Sequence, residues 1–170
     1  PCSFVVMKGT SLNKNKLIEE IRKSLEKDLI VLKEAEKATR EAATHEESKP
    51  ENEYDTRGLE ASYLAGAQSK RISETEDLLV TFKHIEPKVF KESDPVSATA
   101  LVEVECNGKK GLYFFLPKGG GINLTFEGAR IQIVTPNSPL GEALLGLRAG
   151  DTALVESRGQ TLEYEILSIR

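Results

Sequence analysis

Acidic side chains are concentrated in one short stretch of the sequence, on either side of a proline. Within ten residues the chain carries five carboxylates: Glu46, Glu47, Glu51, Glu53 and Asp55. Carboxylates this close repel one another, and a divalent cation would explain their grouping. Mg²⁺ suits such a site, because it takes one or two protein carboxylates and completes its octahedron with water and phosphate oxygens. A solvated charged turn is the alternative, and composition alone favours it.

Other candidate catalytic groups lack the neighbours that their chemistry requires. His45 precedes the acidic stretch, but a single histidine without cysteine ligands is more typical of a capping or surface residue. Neither a Lys-Ser or Lys-Thr pair nor a helix follows Gly119-Gly120-Gly121, so we expect a flexible strand connection there rather than a phosphate loop. No serine stands in a G-x-S-x-G context, and neither cysteine has a nearby histidine. Nucleophilic catalysis is therefore not indicated.

The composition excludes several classes of protein. Acidic residues outnumber basic residues by 27 to 23, and the formal net charge is −4, whereas a general duplex-DNA binder carries a basic face. No apolar run reaches the ~18 residues of a membrane-spanning helix, so we expect a cytoplasmic protein with no membrane partner. Cys2 and Cys106 match neither a disulfide framework nor a zinc site, which predicts two free thiols.

The acidic stretch lies between two segments in which apolar or small residues recur three or four apart, as on one face of a helix. The first stripe is Ile18, Ile21, Leu25, Leu29, Leu32, Ala35 and Ala42. The second stripe is Ala61, Ala65, Gln68, Ile72, Thr75, Leu79 and Phe82. Two such stripes joined by a short link predict an antiparallel coiled-coil hairpin. Its bend is expected at Ser48-Lys49-Pro50, because proline disfavours the α conformation in the residue before it.

After about Pro95 the pattern changes to short alternating runs separated by glycine-containing turns. Five strands are predicted: Ala98–Cys106, Gly111–Leu116, Arg130–Val134, Thr152–Glu156 and Thr161–Ile169. Between the third and fourth, Ser138, Pro139 and Gly146 supply the N-cap, the first-turn proline and the closing glycine of one short helix.

The fold class predicted from these patterns is α+β. A helical hairpin comes first, and a small antiparallel sheet packed on one short helix follows it. The predicted limits are residues 8–86 for the hairpin, 87–95 for a linker and 96–170 for the sheet domain.

Several short stretches near the end of the sequence are similar to a known family. They are Ile133–Gly141, Ala143–Gly146, Ala149–Asp151 and Glu163–Ile169. In these stretches the chain resembles the bacterial GreA/GreB transcription elongation factors, as a divergent member. Two stretches of the hairpin, His45–Tyr54 and Leu64–Glu76, resemble the family's tip and second helix more loosely. The resemblance implies a coiled coil inserted through the secondary channel of RNA polymerase, and an FKBP-like C-terminal domain docked on the rim of that channel.

The resemblance also implies a function. Backtracked complexes would be rescued because the protein stimulates the polymerase's own cleavage of the RNA 3′ end. The protein would then not be an enzyme by itself and would bind no cofactor alone, but would share Mg²⁺ with the polymerase active centre. Its partners would be bacterial RNA polymerase and, indirectly through the elongation complex, the RNA 3′ end and the template DNA. Ser138, Pro139 and Leu140 fall in the region that the family uses against the polymerase rim.

The family tip reads approximately His-Gly-Asp-Leu-Ser-Glu-Asn-Ala-Glu-Tyr, and its Asp and Glu help to hold a catalytic metal. Matching His45 and Tyr54 to its ends without a gap places Glu47 at the Asp and Pro50 at the Glu. A one-residue deletion instead aligns Glu51 with the Glu. The resemblance therefore implies Glu47, with Glu51 second, as the catalytic and metal-binding residues, within the polymerase complex only.

Two other functions remain open from the sequence. A channel-binding regulator or antagonist would still bind RNA polymerase but would not stimulate RNA cleavage. Pro50 favours this alternative. A prolyl isomerase would follow from the FKBP-like fold, but the chain has no tryptophan and no evident aromatic-lined pocket, and fold does not imply function. Release of 3′ RNA fragments from a backtracked complex distinguishes these functions.

Overall fold

The computed structural model describes residues 12–44 and 56–170. Contacts divide the described residues into two compact units, one within Glu19–Ile85 and the other formed by Glu86–Arg170 together with residues 12–18. The predicted linker limits, 87 and 95, stay a prediction. No helix in the described ranges is both long enough and apolar enough to cross a membrane.

The first unit contains most of two long helices, α1 (Lys14–Thr44) and α2 (Arg57–Lys83). Among the residues that the structure describes, two polar side-chain contacts join them. Lys33 Nζ lies 2.7 Å from Glu76 Oε1, and Ser69 Oγ lies 3.4 Å from Glu36 Oε1. The later residue of α1 contacts the earlier residue of α2. The two helices therefore run antiparallel, as the sequence predicted.

The two predicted stripes can be compared with burial along each helix. All seven positions predicted on α2 are buried or half-buried. On α1 the prediction holds from Ile18 to Leu32, but it is wrong for Ala35 and Ala42, which are exposed, while Glu36 and Thr39 are half-buried. At about 100° per residue, position 36 lies about 40° from Leu32 around the helix, whereas position 35 lies about 60° away. We call the line of contact between α1 and α2 the seam. Helix geometry therefore puts the polar residues Glu36 and Thr39 in the seam, where the sequence suggested alanines.

The second unit is built on a six-stranded sheet. Its strands are β1 (Leu101–Cys106), β2 (Lys109–Phe115), β3 (Asn123–Phe126), β4 (Ala129–Val134), β5 (Thr152–Ser157) and β6 (Gln160–Ile169). Their order across the sheet is β3-β4-β2-β1-β6-β5. The α+β class is confirmed, and five of these strands were predicted with slightly different limits.

The sheet differs from the expected antiparallel arrangement at one pair of strands. β4 runs parallel to β2, with Phe114 opposite Ile133, and all other pairs are antiparallel. The chain leaves β2, forms β3 at the sheet edge, and returns through the Glu127-Gly128 turn, so that β4 fits between β3 and β2. A parallel pair needs such a crossover connection. β3 was not predicted because its alternation of polar and apolar residues extends over only four residues, fewer than in most strands.

One face of the sheet packs against a short helix, α3 (Pro139–Leu144). The core between them consists of buried apolar side chains from the sheet, such as Val104, Phe115 and Ile166, together with Leu144 of α3. Val104 and Ile166 are directly opposite each other on neighbouring strands. The short helix predicted after Ser138 is therefore present, and it closes the core of this unit.

Candidate functional site

The predicted metal-binding residues lie in the connection between α1 and α2. Glu47 and Glu51 belong to residues 45–55, which are outside the described residues, as are His45, Pro50 and Tyr54. Because the helices are antiparallel, the end of α1 and the start of α2 lie at the same end of the pair. The prediction for Glu47 and Glu51 stays a prediction.

Polar side chains occupy the helix ends that flank this connection. On α1, Thr44 Oγ1 donates hydrogen bonds to the carbonyl oxygens of Arg40 and Glu41, both at 3.1 Å. Before α2, Thr56 Oγ1 lies 3.3 Å from the carboxylate of Glu60, which is in the first turn of the helix. A carboxylate near a helix N-terminus is stabilised by the exposed N–H groups. The acidic stretch is therefore followed by a further negative charge that stabilises α2.

The donor set for a metal ion depends on the connecting residues. Within 12–44 and 56–170, no group of three His, Cys, Asp or Glu side chains is placed to hold a metal ion. Glu47 and Glu51 together offer two carboxylates. That set fits Mg²⁺, which keeps several of its positions for water and phosphate, but two side chains cannot fill an octahedral shell by themselves.

The second predicted site, Ser138-Pro139-Leu140, lies in a rigid turn at the start of α3. Ser138 is the N-cap residue. Its hydroxyl donates to the carbonyl oxygen of Thr135 at 2.8 Å and accepts from the backbone N–H of Gly141 at 3.2 Å. The backbone N–H of Thr135 also lies 3.3 Å from this hydroxyl. Ser138 therefore organises the turn, which limits how far its side chain is available to a partner.

The remaining side chains of α3 divide into buried and exposed groups. Leu144 is fully buried and Leu140 packs against the core, whereas Pro139 is exposed. Leu145, directly after the helix, is 49% exposed. The exposed residues of α3 and its C-terminal end therefore include Pro139, Glu142 and Leu145. Sequence reasoning did not identify Leu145, because its leucine neighbours suggested a core position.

Lys14, at the first turn of α1, is a further residue that the sequence did not indicate. Its ammonium group donates to the carbonyl oxygen of Thr99 at 3.0 Å and to that of Lys88, and it lies 4.5 Å from the centre of the Phe90 ring. No carboxylate pairs with it among the described residues. Burial lowers the pKa of Lys14 to about 8. The lysine ties the start of α1 to the segment preceding β1.

We expect the Lys14 contribution to appear in the pH dependence of stability. The pKa of Lys14 is about 8 in the folded protein and 10.5 for a lysine in water, so between these values the unfolded chain binds more protons. The free energy of unfolding therefore rises with pH across this window, by an amount of order 1 kcal/mol because the group is half-exposed. The free energy of unfolding is measured with denaturant for the wild type and for Lys14→Met. The wild-type value minus the variant value should increase from pH 8 to pH 10.

A control for this measurement is Lys16→Met, since Lys16 is exposed on the same helix. The difference in the free energy of unfolding between the wild type and Lys16→Met should stay constant from pH 8 to pH 10. Burial also raises the pKa of Tyr113 and of Tyr164, but both tyrosines are present in every variant and cancel in the difference. A flat difference for Lys14→Met would contradict the assigned pKa.

Comparison with known proteins places the chain in a family. The family model described as transcription elongation factor GreA/GreB, C-terminal, matches residues 127–170, which include the α3 turn and the last two strands. The transcription elongation factor GreA of Acidiphilium cryptum is 30% identical over 154 residues, covering 86% of this chain and 91% of that protein. This chain belongs to the GreA/GreB family. GreA of Alkalilimnicola ehrlichii is 29% identical over 167 residues, covering 95% of each chain.

Solved structures of GreA/GreB-related proteins also overlap with this chain. GreA factor homolog 1 of Thermus thermophilus is 23% identical, with a TM-score of 0.35, and the match covers 88% of this chain and 94% of that one. A GreA/GreB factor of Nitrosomonas europaea is 19% identical, with a TM-score of 0.35 and coverage of 65% and 91%. These scores are too low to support a conclusion about function. Membership of the GreA/GreB family rests on the sequence relatives, and it makes this protein a GreA-like transcription elongation factor.

Proposed function

We propose that this GreA-like factor binds bacterial RNA polymerase, inserts its helix pair into the secondary channel and stimulates the polymerase's own cleavage of backtracked RNA. One observation carries the proposal: two long antiparallel helices present, at one end, the connection that holds the chain's densest group of carboxylates. The family supports the same assignment, because the relatives of similar length are transcription elongation factors.

The protein supplies ligands in this proposal and the polymerase supplies the catalytic site. Glu47 and Glu51 are the residues of this chain that would hold Mg²⁺ together with polymerase and RNA groups. The ion, when bound, supplies the charge that activates water for attack on the RNA phosphodiester. The carboxylates can contribute only if they are positioned correctly at the polymerase active centre. The stiffness of the helix pair therefore matters as much as the acids themselves.

The sheet domain would contribute docking on the polymerase. Pro139, on the turn that Ser138 organises, and Leu145, directly after α3, are exposed apolar residues, and exposed loop residues on a rigid scaffold suit recognition. RNA and template DNA would be approached only through the polymerase, consistent with the net negative charge. The protein would then act in the cytoplasm, together with the elongation complex.

The alternative is a channel-binding antagonist, and one residue favours it. Pro50 stands where the ungapped alignment of the tip requires the family's second acid. Proline has no ligand atom in its side chain, so the factor would occupy the channel without completing the metal site. Such a protein would compete with cleavage-active relatives instead of cleaving.

One experiment distinguishes the two functions. A purified, backtracked elongation complex is incubated with Mg²⁺, with and without the protein, and the release of short 3′ RNA fragments is followed on a gel. Faster release supports cleavage stimulation. If no fragments appear and the protein slows a known cleavage factor, the antagonist function is correct. If neither occurs and no binding to polymerase is measured, both proposals are wrong.

The docking surface has its own prediction. Pro139→Glu should weaken polymerase binding at least about tenfold, because a charge would be buried in the apolar contact. The variant should keep its thermal stability, since Pro139 is exposed at the first helical position and an acid is well tolerated there. Binding is measured by competition with a labelled copy of the wild-type protein.

A matched control introduces the same charge elsewhere in the domain. Asn107→Asp adds one negative charge at the exposed β1–β2 turn, where Asn107 has φ 50°, a conformation that aspartate also tolerates. It should bind like the wild type. Equal binding by Pro139→Glu and Asn107→Asp would remove this surface from the proposed interface.

A further inference from the structure

The seam between α1 and α2 changes its chemistry partway along the pair. At one end it consists of large apolar side chains, with Ile21 and Leu25 of α1 and Phe82 of α2 buried. Beyond Leu32 the half-buried positions among the described side chains of α1 are Glu36 and Thr39. This change occurs well before α1 ends at Thr44, so it is a property of the seam itself.

Glu36 is held in the seam by specific polar contacts. Its side chain is 16% exposed, which is unusual for a glutamate because a charged group loses hydration on burial. Arg40, one turn further along α1, pairs with its carboxylate. From the other helix, Ser69 Oγ lies 3.4 Å from Glu36 Oε1. The carboxylate therefore joins the two helices at one level.

Gln68 lies on α2 directly beside this contact. Its side chain is half-buried in the seam, and its Oε1 is fully enclosed with no hydrogen-bond donor in the described part of the chain. An enclosed acceptor without a partner destabilises the folded state. An alanine or leucine would avoid this cost, as Ala65 and Ile72 do at neighbouring seam positions on the same helix.

Polar residues inside a coiled-coil seam have a known physical effect. They lower stability, and they penalise every alignment that leaves them without partners, so that one register is favoured over the others. In a helix pair whose seam contains only leucine, isoleucine and alanine, one helix can shift by one turn along the other with little loss of apolar contact. With Glu36 in the seam, a slip along α2 would remove the carboxylate from Ser69 and place it against Ala65 or Ile72.

We propose that Glu36, Gln68 and Ser69 form a polar layer that fixes the register of the helix pair at the expense of stability. These are positioning residues: the layer determines which residues of α1 and α2 are level with each other, and hence where the two helices deliver the connecting residues 45–55. The inference concerns the isolated protein and does not depend on the proposed function.

The test measures register directly. Spin labels are attached to cysteines introduced at the exposed positions Lys27 of α1 and Tyr63 of α2, which lie on opposite sides of the Glu36–Ser69 contact along the helix axis. The background lacks Cys2 and Cys106, and the distance between the labels is measured by pulsed electron resonance. The otherwise unsubstituted protein should give one narrow distance. In the double variant Glu36→Leu/Gln68→Leu the midpoint of thermal unfolding should rise. Its distance distribution should broaden or gain a second population displaced by about 4 Å, because the labels are far apart along the axis and most of a slip by one helical turn then appears in the distance.

Two further variants keep the outcome interpretable. Glu36→Gln retains an acceptor for Ser69 and should preserve the single distance. Ile72→Leu changes an apolar seam residue without changing its polarity and should do the same. A single unchanged distance in the Leu/Leu variant would overturn the register role, and a lower unfolding midpoint would overturn the claim that the layer costs stability.

Discussion

Replacement of Glu47 by glutamine is expected to abolish any stimulation of RNA cleavage while leaving polymerase binding intact. The amide has nearly the same size as the carboxylate but carries no charge, and Mg²⁺ strongly prefers charged oxygen ligands. We expect a loss of at least about a hundredfold in the cleavage rate, which corresponds to roughly 3 kcal/mol of transition-state stabilisation. The measurement is the rate of 3′ fragment release from a backtracked complex at saturating protein.

Matched variants separate the possible alignments of the tip. Glu34→Gln removes an exposed acid from α1, away from the connection, and should cleave normally. Pro50→Glu should increase cleavage if the ungapped alignment is right, whereas Glu51→Gln should reduce it if the deletion is right. Normal cleavage by Glu47→Gln would show that another residue is the principal acid.

A second large effect is expected at Gly141 in α3. A Cβ atom added there would lie 1.9 Å from the carbonyl oxygen of Thr135 and 2.8 Å from the hydroxyl of Ser138. Because the first of these is a backbone atom, the turn itself must move. Gly141→Ala should therefore cost at least about 3 kcal/mol of stability, among the larger effects of single substitutions. Thermal unfolding followed by near-ultraviolet circular dichroism checks this expectation.

The control is a glycine that has free space around it. Gly66 lies inside α2 with no other atom within 4 Å of an added Cβ, so Gly66→Ala should raise stability by up to about 1 kcal/mol through helix propensity. If Gly141→Ala were as stable as the wild type, the close packing of the Thr135–Gly141 turn would be wrong.

Local signals in the sequence were sufficient for most of the secondary structure. The α3 helix was predictable because Ser138 and Pro139 act on their immediate neighbours, through a cap and a fixed backbone angle. The seam positions of α2 were predictable because periodicity alone determines which residues share a helix face. On α1 the apolar pattern is misleading at Ala35 and Ala42, because the helix face that packs on α2 passes through Glu36 and Thr39 instead.

Contacts between distant residues were not predictable in the same way. The ammonium group of Lys14 donates to the carbonyl oxygen of Thr99, 85 residues further along the chain. No sequence signal near either residue indicates this contact. Thr99 also adopts a φ of 72°, which a threonine takes only where the surrounding structure enforces it. Insertion of β4 between β2 and β3 is likewise a property of the assembled sheet. The family resemblance, by contrast, came from short motifs that the sequence shows directly.

The position of β1 in the sheet has a consequence for synthesis of the protein. β1 pairs with β2, its neighbour in sequence, and with β6, which leaves the ribosome after all other strands. Until β6 arrives, β1 presents an unpaired edge in a partly assembled sheet, and such edges promote association between nascent chains. The two long helices need no such late partner, since each forms from adjacent residues. We therefore expect association between nascent chains to be favoured in the interval before β6 pairs with β1.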